Sequence, residues 1–145
     1  MRVYADTGFL CSLYSLDSLT EKAESIMQRQ SEPLAFTWLH QLELRNALRL
    51  RVFRKEITAT QRTASLNLLL ADLAGNILKH VSPGLTEIMT EAERLSASYS
   101  ENLGTRSVDL LHVAAAVVLG LPEFFTFDKR QAALAKTAGL KVRSL

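Results

Sequence analysis

Four carboxylates occupy positions where an acid is either costly or useful. Asp6 follows the apolar run Val3-Tyr4-Ala5, and Asp128 follows Phe124-Phe125-Thr126-Phe127. Glu43 lies at the edge of a helically spaced stripe, Leu39, Leu42, Asn46, Leu50 and Phe53, with Asn46 one turn on from it. Asp109 heads Val108-Asp109-Leu110-Leu111-His112-Val113-Ala114-Ala115-Ala116-Val117-Val118-Leu119, a stretch apolar on every side and so mostly buried. A buried carboxylate needs a partner or a metal ion. If the four converge they repel: at an effective dielectric near 20, two unit charges about 5 Å apart cost on the order of 3 kcal/mol. Protonation or a cation must relieve that repulsion, and hard carboxylate oxygens select Mg²⁺ or Mn²⁺. A metal held this way activates water and offsets charge on a phosphate, which suits phosphodiester hydrolysis.

Each acid also has a structural role open to it. Asp6 and Asp128 are suitable helix N-caps, and Gln131 would complete a capping box with Asp128. One oxygen can cap while the other binds a cation, so the two roles are compatible. Glu43 can be a solvated rim residue paired with Arg54, and Asp109 a first-turn acid favoured by the helix dipole. His112, one turn after Asp109, reads as a structural histidine bonded to backbone or to a carboxylate rather than as a metal ligand.

Short apolar runs alternate with longer amphipathic ones along the chain. Strands are expected at 2–5, 34–37, 77–81, 124–127 and 141–143. Helices are expected at 8–14, 18–30, 38–54, 58–73, 86–99, 107–119 and 129–138. Ser18 with Glu21 and Thr58 with Gln61 read as capping boxes. Asn102-Leu103-Gly104 interrupts one helix, and Gly120 with Pro122 stops another. The 38–54 helix carries a second stripe, Leu44, Leu48 and Val52, and is expected to be covered on two sides, one of them by a second chain. Strands separated by helices imply an α/β fold with a mostly parallel sheet, whose ligands bind beyond the carboxyl ends of the strands.

The 145 residues, 48% of them hydrophobic, are expected to form one domain over 1–145. Cys11 is the only cysteine, which excludes an internal disulfide framework and a cysteine-based zinc cluster. The formal net charge of +2 is too small to argue for nucleic-acid binding. The longest wholly apolar run, 113–119, falls far short of a membrane span, and no signal-peptide layout opens the chain. The expectation is a cytoplasmic protein with no membrane partner.

Four segments, in this order, resemble the PIN-domain family and within it the VapC-type ribonuclease toxins of bacterial toxin–antitoxin pairs. They are Tyr4-Ala5-Asp6-Thr7, Leu42-Glu43-Leu44-Arg45-Asn46-Ala47-Leu48, Ser107-Val108-Asp109-Leu110-Leu111-His112-Val113-Ala114-Ala115-Ala116 and Phe125-Thr126-Phe127-Asp128-Lys129-Arg130-Gln131. The resemblance spans essentially the whole chain. It implies a three-layer α/β/α sandwich around a five-stranded parallel sheet in the order 3-2-1-4-5. It implies that Asp6, Glu43, Asp109 and Asp128 are the catalytic, metal-holding acids, with Mg²⁺ or Mn²⁺ as cofactor. Thr7 and Thr126 match hydroxyl positions that support the acids, and Asn46 is placed beside Glu43 in the same supporting role. Gly8 departs from the polar residue that relatives often carry there. The resemblance further implies RNA cleavage, a homodimer and a cognate antitoxin.

Arg51 and Arg54 fall nearer Glu43 than Arg45 and Arg49 do, and Lys129 and Arg130 adjoin Asp128. All four are candidates to hold RNA phosphates, with ordinary solvated charge as the other reading. Two further functions stay open. A phosphoacceptor receiver domain would need an aspartate in its central strand and a strand-end lysine, and the segment Ile77-Leu78-Lys79-His80-Val81 ends without an aspartate. A degenerate, non-catalytic binding module is disfavoured by the presence of all four acids.

Overall fold

The computed structural model describes residues 1–143; Ser144 and Leu145, the last two residues of the expected domain, lie outside them. Five short strands, β1 (Val3–Ala5), β2 (Leu34–Phe36), β3 (Leu78–His80), β4 (Glu123–Phe125) and β5 (Lys141–Arg143), pair in the order β3-β2-β1-β4-β5. Every pairing is parallel. The chain order therefore reverses between β1 and β4, whose ends carry Asp6 and, three residues beyond β4, Asp128. Every residue of β1 and β2 is buried, as expected of strands covered on both faces.

Alternation along the strands divides the core in two. On one face Val3, Ala5, Leu34, Phe36 and Phe125 pack against α1 (Thr7–Tyr14), α2 (Thr20–Met27), α3 (Trp38–Phe53) and α4 (Ala59–Ala74). On the other, Tyr4, Ala35 and Phe124 meet α5 (Leu85–Leu95), α7 (Ser107–Val118) and α8 (Lys129–Thr137). Between α5 and α7 the chain passes through a π-helical turn (Ser96–Ser100) and a short turn of helix, α6 (Glu101–Leu103). Gly104 stops that turn in the left-handed conformation, at φ +65°. The result is the three-layer sandwich that the resemblance implied.

Several local expectations need correction. Ser18 and Glu21 form no capping box: α2 begins at Thr20, and Asp17 supplies the local bonds by accepting from Leu19 N. Gln131 does not complete a box with Asp128, because the Thr126 hydroxyl already takes the Asp128 N–H. Both amide atoms of Gln131 are buried without a partner among the described residues. The strand ends at Phe125, two residues earlier than expected, and Thr126 is turned toward Asp6 and Asp128. In α3 the stripes are covered unequally by the described residues, Leu39 of the first stripe being buried. Leu44 and Leu48 are fully buried, whereas Leu42 and Phe53 are 67% and 82% exposed.

Candidate active site

All four acids border one cleft of about 340 Å³ at the carboxyl ends of β1 and β4. Thr7, Gly8, Arg106 and His112 border it too. Asp6 reaches it because its own N–H donates to the Phe125 carbonyl at 3.0 Å, which fastens the end of β1 to β4. Its side chain caps α1: Oδ1 accepts from Phe9 N at 2.8 Å, while Oδ2 accepts from the Thr126 hydroxyl. Asp128 caps α8 through Oδ1, which accepts from Arg130 N and Gln131 N. Capping and site membership thus coincide, as the compatibility of the two roles allowed. Asp109 is buried in the first turn of α7, 3.3 Å from the Arg106 guanidinium. Glu43 arrives from α3, half-buried.

Glu43 is braced by side chains from two other helices, α1 and α7. The Thr7 hydroxyl donates to Oε1 at 2.8 Å, and His112 Nε2 bonds the same oxygen. Tyr4 holds the other side of the imidazole, its hydroxyl 2.7 Å from Nδ1. Burial drives the Tyr4 pKa far above the ordinary phenol value, so the hydroxyl stays protonated beside Nδ1. His112 is a structural histidine bonded to a carboxylate, and that carboxylate belongs to the site. Burial alone would raise the Glu43 pKa, but the bonds from His112 and Thr7 and the nearby Arg106 charge outweigh it and hold the group ionised. Asp6 goes the other way. Burial raises its pKa, the charge of Asp128 adds to the rise, and the Thr126 and Phe9 bonds only partly offset it.

Sequence reasoning missed three participants. Tyr4 reads as plain strand core. Arg106 precedes α7 with no motif to mark it. His40 is fully buried beneath the site: Nδ1 accepts from Thr37 N at 2.9 Å and Nε2 lies 2.7 Å from the Ala5 carbonyl. Its signal was present, as the third helical residue after the cap Thr37.

The candidate cations divide. Arg51 is half-buried and held by Asp17 at 2.8 Å and by the Ser15 carbonyl at 3.3 Å, so its guanidinium braces α3 to the α1–α2 turn. Arg54 is exposed on the same groove, about 410 Å³, which Glu43 and Asn46 also line. Lys129 and Arg130 are exposed and, with Arg106 and Asp128, line an opening beside the acid cleft. Among the described residues, no three acidic, histidine or cysteine side chains are placed to share one ion directly. The donor set still suits Mg²⁺, which keeps several of its waters and takes only one or two carboxylates directly.

The fold has close counterparts among solved structures. VapC20 of Mycobacterium tuberculosis, a sarcin–ricin-loop-cleaving toxin, superposes with a TM-score of 0.71 over 98% of this chain and 99% of that one, at 15% identity. VapBC2 from Rickettsia felis, bound to a promoter DNA fragment, matches at 0.66 with 15% identity over 99% and 98% of the two chains. FitAcB from Neisseria gonorrhoeae matches at 0.65 with 17% identity over 98% and 96%. No curated protein matches the sequence at a significant level. The sequence does match the PIN domain family over residues 3–137, nearly its whole length, and the chain belongs to that family.

Proposed function

We propose that this protein is an Mg²⁺- or Mn²⁺-dependent endoribonuclease, the toxin of a toxin–antitoxin pair. The observation that carries the reading is the gathering of four carboxylates from distant parts of the chain around one cleft at the sheet's reversal point. Asp6, Asp109 and Asp128 would hold the metal, one or two of them directly and the rest through its waters, with Glu43 ligating it or orienting water. Bound there, the ion would supply a water of lowered pKa and a counter-charge for the phosphate. The protein's own residues do the rest. Thr7 and His112 keep Glu43 ionised, and so able to accept a proton from water. Thr126 fixes the Asp6 carboxylate, and its backbone bonds set Asp128 at the rim. Arg106 beside Asp109 offers a cation to the substrate phosphate at the same opening.

The partners follow from the same reading: an RNA substrate, a cognate antitoxin and a second copy of the chain. The exposed part of the first α3 stripe, Leu42, Leu50 and Phe53, favours a protein partner on that side. The likeness of the fold to VapBC2 of Rickettsia felis and FitAcB of Neisseria gonorrhoeae supports the antitoxin. A cytoplasmic location fits this role, and no helix among the described residues is long and apolar enough to cross a membrane.

The test is a metal titration against a panel of single-stranded RNAs, with Asp6→Asn alongside. Cleavage that requires Mg²⁺ or Mn²⁺ and disappears in the variant, while its far-ultraviolet spectrum is unchanged, supports the reading. Metal-independent or undiminished cleavage by Asp6→Asn refutes it, and tight RNA binding without cleavage favours the binding module.

A further inference from the structure

Beside the acid cleft, a groove of about 540 Å³ runs between α2, α8 and β5. Four cations border it: Lys22 from α2, Lys129 and Lys136 from α8, and Arg143 from β5. Lys129 and Lys136 stand seven residues apart, two turns of helix, and so share one face of α8. Among the described residues, the only acid bordering the groove is Asp128, which it shares with the acid cleft. The two openings therefore adjoin at that residue. Among the described residues, none of these four cations lies within ion-pair distance of a carboxylate. Phe127, half-buried against Phe9, contributes an aromatic edge to the wall.

The groove on the α3 side offers less free positive charge, with Arg51 already consumed by Asp17 and Arg54 alone exposed. Four uncompensated positive charges along one groove repel one another and favour a polyanion whose charges are evenly spaced. An aromatic surface among them suits a nucleobase better than it suits a folded acidic protein. We propose that this groove binds the single-stranded RNA segment adjoining the cleaved phosphate, with Lys22, Lys129, Lys136 and Arg143 on successive phosphates and Phe127 against a base. The choice of RNA rests on the nuclease reading; the anionic, single-stranded character of the ligand rests on the groove.

The experiment measures binding of the full chain to a labelled single-stranded RNA about ten nucleotides long, in chelator, across a range of salt concentrations. Each phosphate contact on a single strand contributes a slope of about −0.7 in log K against log salt, so four contacts give roughly −2.8. The double variant Lys22→Gln/Lys136→Gln changes two exposed residues on separate elements. It is expected to flatten the slope by about 1.4 and to weaken low-salt affinity several-fold. With metal present, it should raise KM and leave kcat near its original value. An unchanged slope and affinity overturn the proposal even if the protein cleaves RNA. A flattened slope in a protein that never cleaves supports the groove and removes the nuclease reading instead. Loss of polyglutamate binding in the double variant, with the RNA slope unchanged, would assign the groove to an acidic protein and also overturn it.

Discussion

At the amino ends of the strands, Glu24, Glu32 and Asp72 border a cavity of about 570 Å³; at the carboxyl ends, Asp6, Glu43, Asp109 and Asp128 border one of about 340 Å³. Both openings hold carboxylates, and the amino-end cavity is the larger. The difference lies in how the acids are held. Glu24 and Glu32 are exposed, and Glu32 pairs with the Met1 ammonium, which lowers its pKa through a simple surface contact. Asp72 accepts from the Tyr14 hydroxyl at 2.6 Å, and no lysine or arginine lines that cavity. At the carboxyl end, Asp6 and Asp109 are buried, Asp6 feels the charge of Asp128, and Thr126 and His112 bond Asp6 and Glu43. Volume and acid count do not separate the two ends. Neighbouring charge that is partly buried does, because only there would a divalent ion relieve a cost that folding has imposed.

The largest expected effect breaks the comparison directly. Asp109→Asn should reduce metal-dependent RNA cleavage on the order of a thousand-fold, whereas Asp72→Asn at the other end should leave the rate within about two-fold. Comparable losses in the two variants, measured under one set of conditions, would show that the ends are not functionally distinct.

The next effect is on stability, and it separates two buried groups with opposite signs. His40 sits beneath the cleft with Nδ1 accepting a backbone N–H, a bond that protonation destroys. Burial pushes its pKa down to about 3, below the unfolded value of about 6.5. Its stabilisation is therefore present above pH 6.5 and is lost as pH falls toward 3, by on the order of a few kcal/mol. Asp6, with its pKa raised by burial, favours its protonated form in the fold, so its contribution is present at low pH and lost as pH rises through the raised value. In chelator, Asp6→Asn keeps a good N-cap and should unfold about 2–4 °C higher at pH 8, with less gain at pH 4. His40→Gln should be less stable at pH 7 and show a flatter fall between pH 6.5 and 4 by urea titration. A parallel fall in variant and parent would remove His40 as the sensor.

Much of this end of the molecule was legible in the sequence, and the reasons are physical. Asp6 and Asp128 stand out because each follows a short apolar run, and such runs become strands whose ends are where α/β folds place ligands. Asp109 stands out because the helix around it has no polar face. The parallel sheet followed from strands alternating with helices, but its order rested on the family resemblance, since periodicity carries no information about which strands are neighbours. What stayed hidden was long-range pairing. Arg51 looked like a free cation because Asp17, its partner, is 34 residues away on another element. His112 was expected to bond backbone or a carboxylate, but its partners stayed hidden because Tyr4 and Glu43 approach it from 108 and 69 residues away. The basic groove was illegible because Lys22, Lys136 and Arg143 share no segment, and only the crossing of α2, α8 and β5 assembles them. Capping was misjudged where a competing hydroxyl intervened, as Thr126 does at Asp128.

That competing hydroxyl gives a smaller, sharper test. Thr126 donates to Asp6 and accepts the Asp128 N–H, so it ties the two neighbouring strand ends together. Thr126→Val keeps the shape and removes both bonds, leaving a backbone N–H and a buried carboxylate oxygen short of partners. The expected cost is about 1–3 kcal/mol in chemical denaturation, with Thr126→Ser restoring most of it. A Val variant as stable as the parent would mean that the acids are not held by this bridge.

The smallest effect lies one turn further along α8, at Gln131. The expected capping box would have used its amide, but the Thr126 hydroxyl has displaced it from the Asp128 N–H, and both amide atoms are buried without partners among the described residues. An unmade pair of bonds in the interior costs more than an apolar side chain of the same length in the same space. Gln131→Met should therefore stabilise the protein by about 1 kcal/mol, seen as a rise in the thermal midpoint, with RNA cleavage unchanged because no atom of Gln131 borders the acid cleft. A destabilised Met variant would show that the amide has a partner after all. The α8 end of the cleft would then be held by Gln131 as well as by Thr126, and the contrast in bracing between the two ends of the sheet would be greater still.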